Sequence, residues 1–278
     1  MVVQHNLQAM NANRQLGITT GQQAKSTEKL SSGYKVNRAG DDAAGLAISE
    51  KMRSQIRGLN KASTNAEDGI SVVQTAEGAL NEVHSILQRM NELATQAAND
   101  TNTTIDRSQI KLEIDQLASE INRIASTTQF NTMNLLDGSF KSKNLQVGAL
   151  SGQKIELTIS KMACSGLGLG NVTGTGASKL KVSSFKSAGT TMSLVQAAID
   201  KVSTQRAKLG AVQNRLEHTI ANLDTTAENT QAAESRIRDT DMASEMVNYS
   251  KNNILAQAGQ SMLAQANSSN QGVLSLLG

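Results

Sequence analysis

The chain has 278 residues with 27 basic and 24 acidic side chains mixed along it, for a net charge of +3. It has no proline, where an average usage of about 5% would give roughly 14, and with three Phe, two Tyr and no Trp any core is packed from Leu, Ile, Val, Met and Ala across narrow helix seams. The spread charge excludes a basic stripe for nucleic acid, no stretch nears the roughly 18 uninterrupted apolar residues of a membrane span, and the one thiol, Cys164, makes no internal disulfide.

The first predicted element is an N-terminal arm from Val2 to Val36. Its apolar residues (Val2, Val3, Leu7, Met10, Leu16, Ile18, Leu30, Val36) stand thinly among Gln, Asn, Thr and Ser. An isolated helix with so narrow a stripe is marginal in water. Residues Met1 to Asn13 lack the basic start and apolar run of a secretory signal, so the usual secretory route is not expected. Asp41 and Asp42, just before Ala43-Ala44-Gly45-Leu46, read as a turn and helix N-cap in preference to a metal or acid–base pair.

The clearest helix is expected from Asp68 to Asn99, where Val73, Ala76, Leu80, Val83, Leu87, Met90, Ala94 and Ala97 recur in steps of three and four. Gln88, Arg89, Glu92 and Leu93 lie on or beside its flank, with Ile86 one heptad before Leu93. Two readings stay open there: ordinary packing of a wide apolar face, or a lateral surface that contacts another molecule. Asn99 to Asp106 is rich in Asn, Thr and Asp and reads as a turn. A second helix follows through Ile110, Ile114, Leu117, Ile121 and Ile124, antiparallel to the first.

In the middle, Leu145, Val147 and Ala149, then Ile155, Leu157 and Ile159, alternate on either side of Ser151-Gly152 and predict a β-hairpin with one buried face lying against the helices. Gly166 to Ala177 reads as surface loop, and Lys179 to Ser184 as one more short strand. The glycine run from Gly166 to Gly170 has no helix opening after it, so it is not expected to hold phosphate. A third heptad helix is expected through Val195, Ile199, Val202, Leu209, Leu216, Ile220 and Leu223, with Arg206 and Gln213 in two seam positions. The C-terminal arm carries Met242, Met246, Ile254, Leu255, Ala258, Met262 and Leu263, and closes on Val273, Leu274, Leu276 and Leu277. It has apolar surface and no partner within itself, so both arms are expected to be frayed in the monomer and to order when neighbouring copies bury them.

The fold class is therefore mainly α: a long antiparallel bundle or coiled coil from both termini, with a small β-hairpin region between. Catalytic groups are scarce. His5, His84 and His218 are far apart, with no i,i+4 zinc spacing, and Cys164 has no histidine to activate it. No enzyme activity, cofactor or metal is expected.

The segments Leu30-Ser31-Ser32-Gly33, Asp41-Asp42-Ala43-Ala44-Gly45, Asn65-Ala66-Glu67-Asp68-Gly69-Ile70-Ser71, Glu77-Gly78-Ala79-Leu80-Asn81-Glu82 and Thr128-Gln129-Phe130-Asn131 resemble successive signatures of bacterial flagellin. Near the other end, Ile254-Leu255-Ala256-Gln257-Ala258-Gly259, Ala264-Gln265-Ala266-Asn267 and Val273-Leu274-Ser275-Leu276-Leu277 are similar to its C-terminal arm. The resemblance covers almost everything but the middle. It implies a short form without the variable outer domains, and a structural subunit that polymerises into the extracellular flagellar filament for swimming. Residues 1–44 with 236–278 would form a coiled-coil inner tube, polymerising through Leu7, Met10, Leu16, Leu30, Met246, Ile254, Leu255, Met262, Leu263, Leu274 and Leu277. Residues 45–137 with 190–235 would form the helical outer tube, to which the 138–189 region belongs.

The same resemblance implies export unfolded through the flagellar type III apparatus, a chaperone on the C-terminal arm, and filament cap and junction proteins as partners. It also implies that Gln88, Arg89, Glu92, Leu93 and Glu113 form a subunit interface readable by the vertebrate Toll-like receptor for flagellin. No nucleic acid and no membrane insertion enter this picture. The alternatives are a hook–filament junction protein and a secreted helical adhesin or binding module; a peptidase lacks any His-Glu-x-x-His in the middle.

Overall fold

The computed structural model describes residues 6–170 and 179–277, with the side chains of the last helix described as far as Ser269. In chain order the elements are α1 (Leu7–Ser32), α2 (Ala43–Ala97), α3 (Thr104–Thr127), β1 (Gln129–Phe130), β2 (Met133–Asn134), β3 (Lys143–Gln146), β4 (Lys154–Leu157), α4 (Cys164–Leu167), α5 (Phe185–Arg238) and α6 (Met242–Leu277). The expected helix after Asp68 is only the second half of α2, which begins 25 residues earlier at Ala43. Without proline, nothing along Ala43–Ala97 stops it.

Local chemistry sets the helix ends. The Asn6 side chain accepts from the Ala9 N–H at 3.0 Å to open α1, and Gly33 closes it in the left-handed region (φ 76°), its N–H donating to Lys29 O at 2.8 Å. Asp42 Oδ1 accepts from the Gly45 N–H at 2.9 Å and caps α2, while Asp41 Oδ2 accepts from the N–H groups of Arg38 and Asn37. Those bonds, Arg38's first, hold Asp41 below its ordinary pKa. The polar linker delivers a capping box: Thr103 and Asp106 satisfy each other's backbone N–H at the start of α3. Asp241 accepts from Ala243 and Ser244 to open α6.

The chain divides into two compact units, Arg57–Ala227 and Met1–Ile56 with Glu228–Gly278. In the Arg57–Ala227 unit the predicted α2 seam from Val73 to Ala97 is fully buried. It packs with Ile110, Ile114, Ala118, Ile121 and Ala125 of α3 and with Val195, Ala198, Val202 and Leu209 of α5. The predicted α5 seam is displaced by one residue in two places. Gln205 and the half-buried Val212 face inward, where Arg206 and Gln213 were expected. Buried Gln205 is satisfied by the backbone: its Nε2 donates to Thr158 O at 3.3 Å and its Oε1 accepts from the Ser160 N–H at 3.5 Å. Arg206 lies at the edge, 3.6 Å from Glu77.

The predicted hairpin is β3 and β4, antiparallel with Leu145 opposite Ile155. Ile155 packs on Ala66 of α2 and Leu216 of α5, and Asn65 Nδ2 donates to Gln146 O at 3.2 Å. A second, smaller hairpin, β1–β2, turns at Asn131 and Thr132, both with positive φ, as a two-residue turn of the primed type requires. Two middle-region expectations are corrected. Residues 179–184 form no strand: Leu180 and Val182 are buried, but the Lys181 carbonyl is taken by the Thr191 hydroxyl at 2.7 Å instead of a ladder. The start of the expected surface loop is core, because Leu167 and Leu169 are buried beside the single turn α4. The rest, 171–177, lies outside the described residues.

Candidate functional site

In the other unit, α1 pairs with α6. Both arms are formed helices here, where the sequence led us to expect fraying until neighbours arrive. The face that α6 turns to α1 is mostly small and polar, with Tyr249 and Leu263 as its larger members. Asn252 and Ala256 are buried, and Tyr249, Gly259, Leu263 and Ala266 are half-buried. Gly259 permits close approach, since a Cβ there would meet Leu16 Cδ1 at 3.3 Å. Asn6 Nδ2 donates to Ala266 O at 2.9 Å and fixes the register of the pair.

Apart from Leu263, the large apolar side chains described on α6 point elsewhere. Met242, Met246, Val247, Ile254, Leu255 and Met262 are exposed, Ile254 by 67%. On α1, Leu7, Met10 and Ile18 are exposed, while Leu16 and Leu30 are half-buried. Among the described residues of this unit, only Val36 and Ala256 are buried apolar side chains. Full burial of a large apolar side chain is worth roughly 1.5–3 kcal/mol. The exposed side chains of the arms therefore gain little of this stabilisation within the unit. Of the expected arm residues, Leu7, Met10, Met246, Ile254, Leu255 and Met262 are exposed, Leu16 lies beside Gly259 of α6, and Leu30 and Leu263 are half-buried. The side chains of Leu274 and Leu277, like His5, lie outside the described residues.

One feature of this unit had no signal in the sequence. Arg238, at the end of α5, places its guanidinium carbon 4.6 Å from the centre of the Tyr34 ring and its Nη1 2.8 Å from Glu50 Oε1. Around it, the Lys35 N–H donates to Arg238 O, the Thr240 N–H donates to Gly33 O, and Tyr34 forms an antiparallel bridge with Asp239. Segments some 200 residues apart in sequence are joined at this point, a pairing that no local periodicity announces.

On the flank of α2, Gln88, Arg89 and Glu92 are exposed, as is Glu113 on α3. Arg89 Nε donates to Glu113 Oε1 at 3.1 Å and its Nη1 donates to Glu92 Oε2 at 3.2 Å, and these bonds, Glu92's first, raise the guanidinium pKa. Gln88 lies 3.1 Å from the His84 ring. Leu93 is corrected from surface anchor to core residue. It is only 2% exposed and packs in the main cluster, with Ile86 half-buried against it. The apolar face of α2 is wide enough to bring it into the main core. Cys164 is buried too, its Sγ donating to Ala118 O at 3.2 Å, and burial pushes its pKa up to about 11.

Helices built from both ends of the chain, one unit with a closed core and another that turns its large apolar side chains outward, define a mainly α protein with open helix surface. Comparison with known proteins makes this specific. Residues 3–141 match the family model for the bacterial flagellin N-terminal helical region, and residues 192–277 match that for the C-terminal helical region. A flagellin of Halalkalibacterium halodurans is 55% identical over 277 residues, with both chains covered completely. The flagellar filament 31.3 kDa core protein of Treponema maltophilum is 50% identical over 288 residues, again with both chains fully covered. Among solved structures, the crystal structure of Bacillus cereus flagellin matches with a TM-score of 0.50 and 32% identity, covering 62% of this chain and 94% of that one. The chain belongs to the bacterial flagellin family, in a short form without the variable outer domains.

Proposed function

We propose that this chain is the structural subunit of a bacterial flagellar filament, acting outside the cell in swimming motility and without catalysis. The observation that carries this reading is the outward placement of Met246, Ile254, Leu255 and Met262 on α6, opposite its small-residue face toward α1. Copies of the chain are the partner this surface fits: residues 1–44 with 236–278 form the inner tube, and residues 45–137 with 190–235 and the 138–189 region form the outer tube. The subunit travels unfolded through the flagellar type III apparatus. A chaperone covers the C-terminal arm until then, and cap and junction proteins meet the filament at its two ends.

The decisive experiment is seeded growth of purified full-length monomer, viewed by negative-stain electron microscopy. Long uniform filaments that disappear on deletion of 242–278 support the reading. Monomers that persist at every concentration move the assignment to a junction protein or a binding module.

Vertebrate Toll-like receptor recognition is part of the same proposal, carried by the exposed Gln88, Arg89, Glu92 and Glu113, with Leu93 holding the flank from beneath. Exposed charged groups that are paired to each other are cheap to lose for stability and informative for binding. The double variant R89A/E113A is expected to melt like the parent and to lose receptor signalling in reporter cells; unchanged signalling rules this surface out.

A further inference from the structure

We infer that the exposed methionines of the terminal helix pair form a peroxide-modification site through which oxidation of the free subunit blocks its assembly. The inference rests on the filament reading for its consequence, but its observation is separate. Met10, Met242, Met246 and Met262 are 63%, 48%, 50% and 64% exposed, whereas Met90 and Met162 in the Arg57–Ala227 core are 0% and 4% exposed. Four of the five exposed methionines among the described residues therefore lie on the surface left uncovered, the fifth being Met133 on β2, 41% exposed. Met242 and Met246 stand one helical turn apart on α6, and Met10 and Met262 bring sulfur to both helices of the pair. The only thiol, Cys164, is buried and held protonated, so it does not compete for the oxidant.

The chemistry needs only hydrogen peroxide. A sulfur lone pair attacks the distal oxygen, the O–O bond breaks, and one S–O bond forms. Sulfur is oxidised by two electrons, and the peroxide leaves as water once the departing oxygen has taken up the proton. The product sulfoxide is polar, with an oxygen that seeks a hydrogen-bond donor. Burying it in an apolar interface without a donor is unfavourable, so a surface whose use depends on burial is disabled by a change that leaves the separate core intact. The modification is reversible: methionine sulfoxide reductase returns the thioether while a dithiol is oxidised to a disulfide and water is released.

The test treats full-length monomer with hydrogen peroxide, maps sulfoxide by peptide mass spectrometry, and follows seeded filament growth. The four arm methionines are expected to oxidise about tenfold or more faster than Met90 and Met162, with growth falling by about tenfold while thermal unfolding of the core is unchanged. Reductase with dithiothreitol is expected to restore growth. A quadruple variant, M10L/M242L/M246L/M262L, keeps the apolar surface and is expected to grow filaments before and after peroxide. The inference is overturned if fully oxidised parent protein grows normally, or if oxidised parent and oxidised quadruple variant lose growth equally. Untreated parent that never grows filaments overturns the filament reading itself and the inference with it, so the two failures are told apart.

Discussion

The two units spend the same residue types differently. In Arg57–Ala227, Leu80, Leu87, Met90 and Leu93 are enclosed in the main core with residues of α3 and α5. In the terminal unit, Met246, Ile254 and Leu255 lie outside the contact between α1 and α6, and Asn252, Ala256 and Gly259 occupy the face that is used. Hydrophobic content alone does not distinguish a core from an unfinished surface; the placement of the large side chains relative to the contact face does. The first unit draws its stability from within the chain. The second leaves most of its large described apolar side chains exposed.

The largest expected effect tests that contrast directly with one pair of substitutions. Leu93→Ala removes a buried side chain and is expected to cost about 2–5 kcal/mol in urea unfolding. Ile254→Ala, at an exposed position, is expected to leave the monomer's unfolding midpoint almost unchanged while raising the concentration needed for filament growth. Equal stability losses in both variants would break the comparison.

A smaller effect concerns acid. Hydrogen bonds to Thr103, side chain first and then backbone, hold Asp106 below its ordinary value of 3.8, and those to Ser244 do the same for Asp241, its backbone bond first. Because each folded pKa is depressed, the stabilisation is present above the ordinary value and is lost as pH falls through the folded one. Helix content followed by circular dichroism is therefore expected to hold down to about pH 4 and decline below it. Asp106→Asn should weaken α3 and flatten this decline. The smallest effect is chemical: Cys164 is expected to resist iodoacetamide at pH 8 in the native protein and to react fully in urea. Rapid native labelling would show that the core opens more readily than its packing indicates.

Much of this was legible in the sequence. The α2 seam from Val73 to Ala97, the Asp42 cap, the Thr103–Asp106 turn and the β3–β4 hairpin follow from local spacing and capping chemistry. What escaped was set by distant neighbours. Whether residue 205 or 206 faces inward depends on which strand end meets α5, and periodicity admits both until Thr158 and Ser160 supply partners for Gln205. Leu93 reads as flank until the assembled core buries it, and Tyr34 and Arg238 meet only through the return of the chain. At the candidate site, the arms' apolar residues were visible, but the small-residue face that leaves them uncovered required knowing which side of α6 meets α1.

The proline-free helices also bear on folding kinetics. Each X–Pro bond isomerises over tens to hundreds of seconds, and a chain containing several of them refolds in part at that pace. With none in 278 residues, refolding from urea should show no phase accelerated by a prolyl isomerase. On the proposed reading, a subunit that folds where it is added would meet no such wait at each addition.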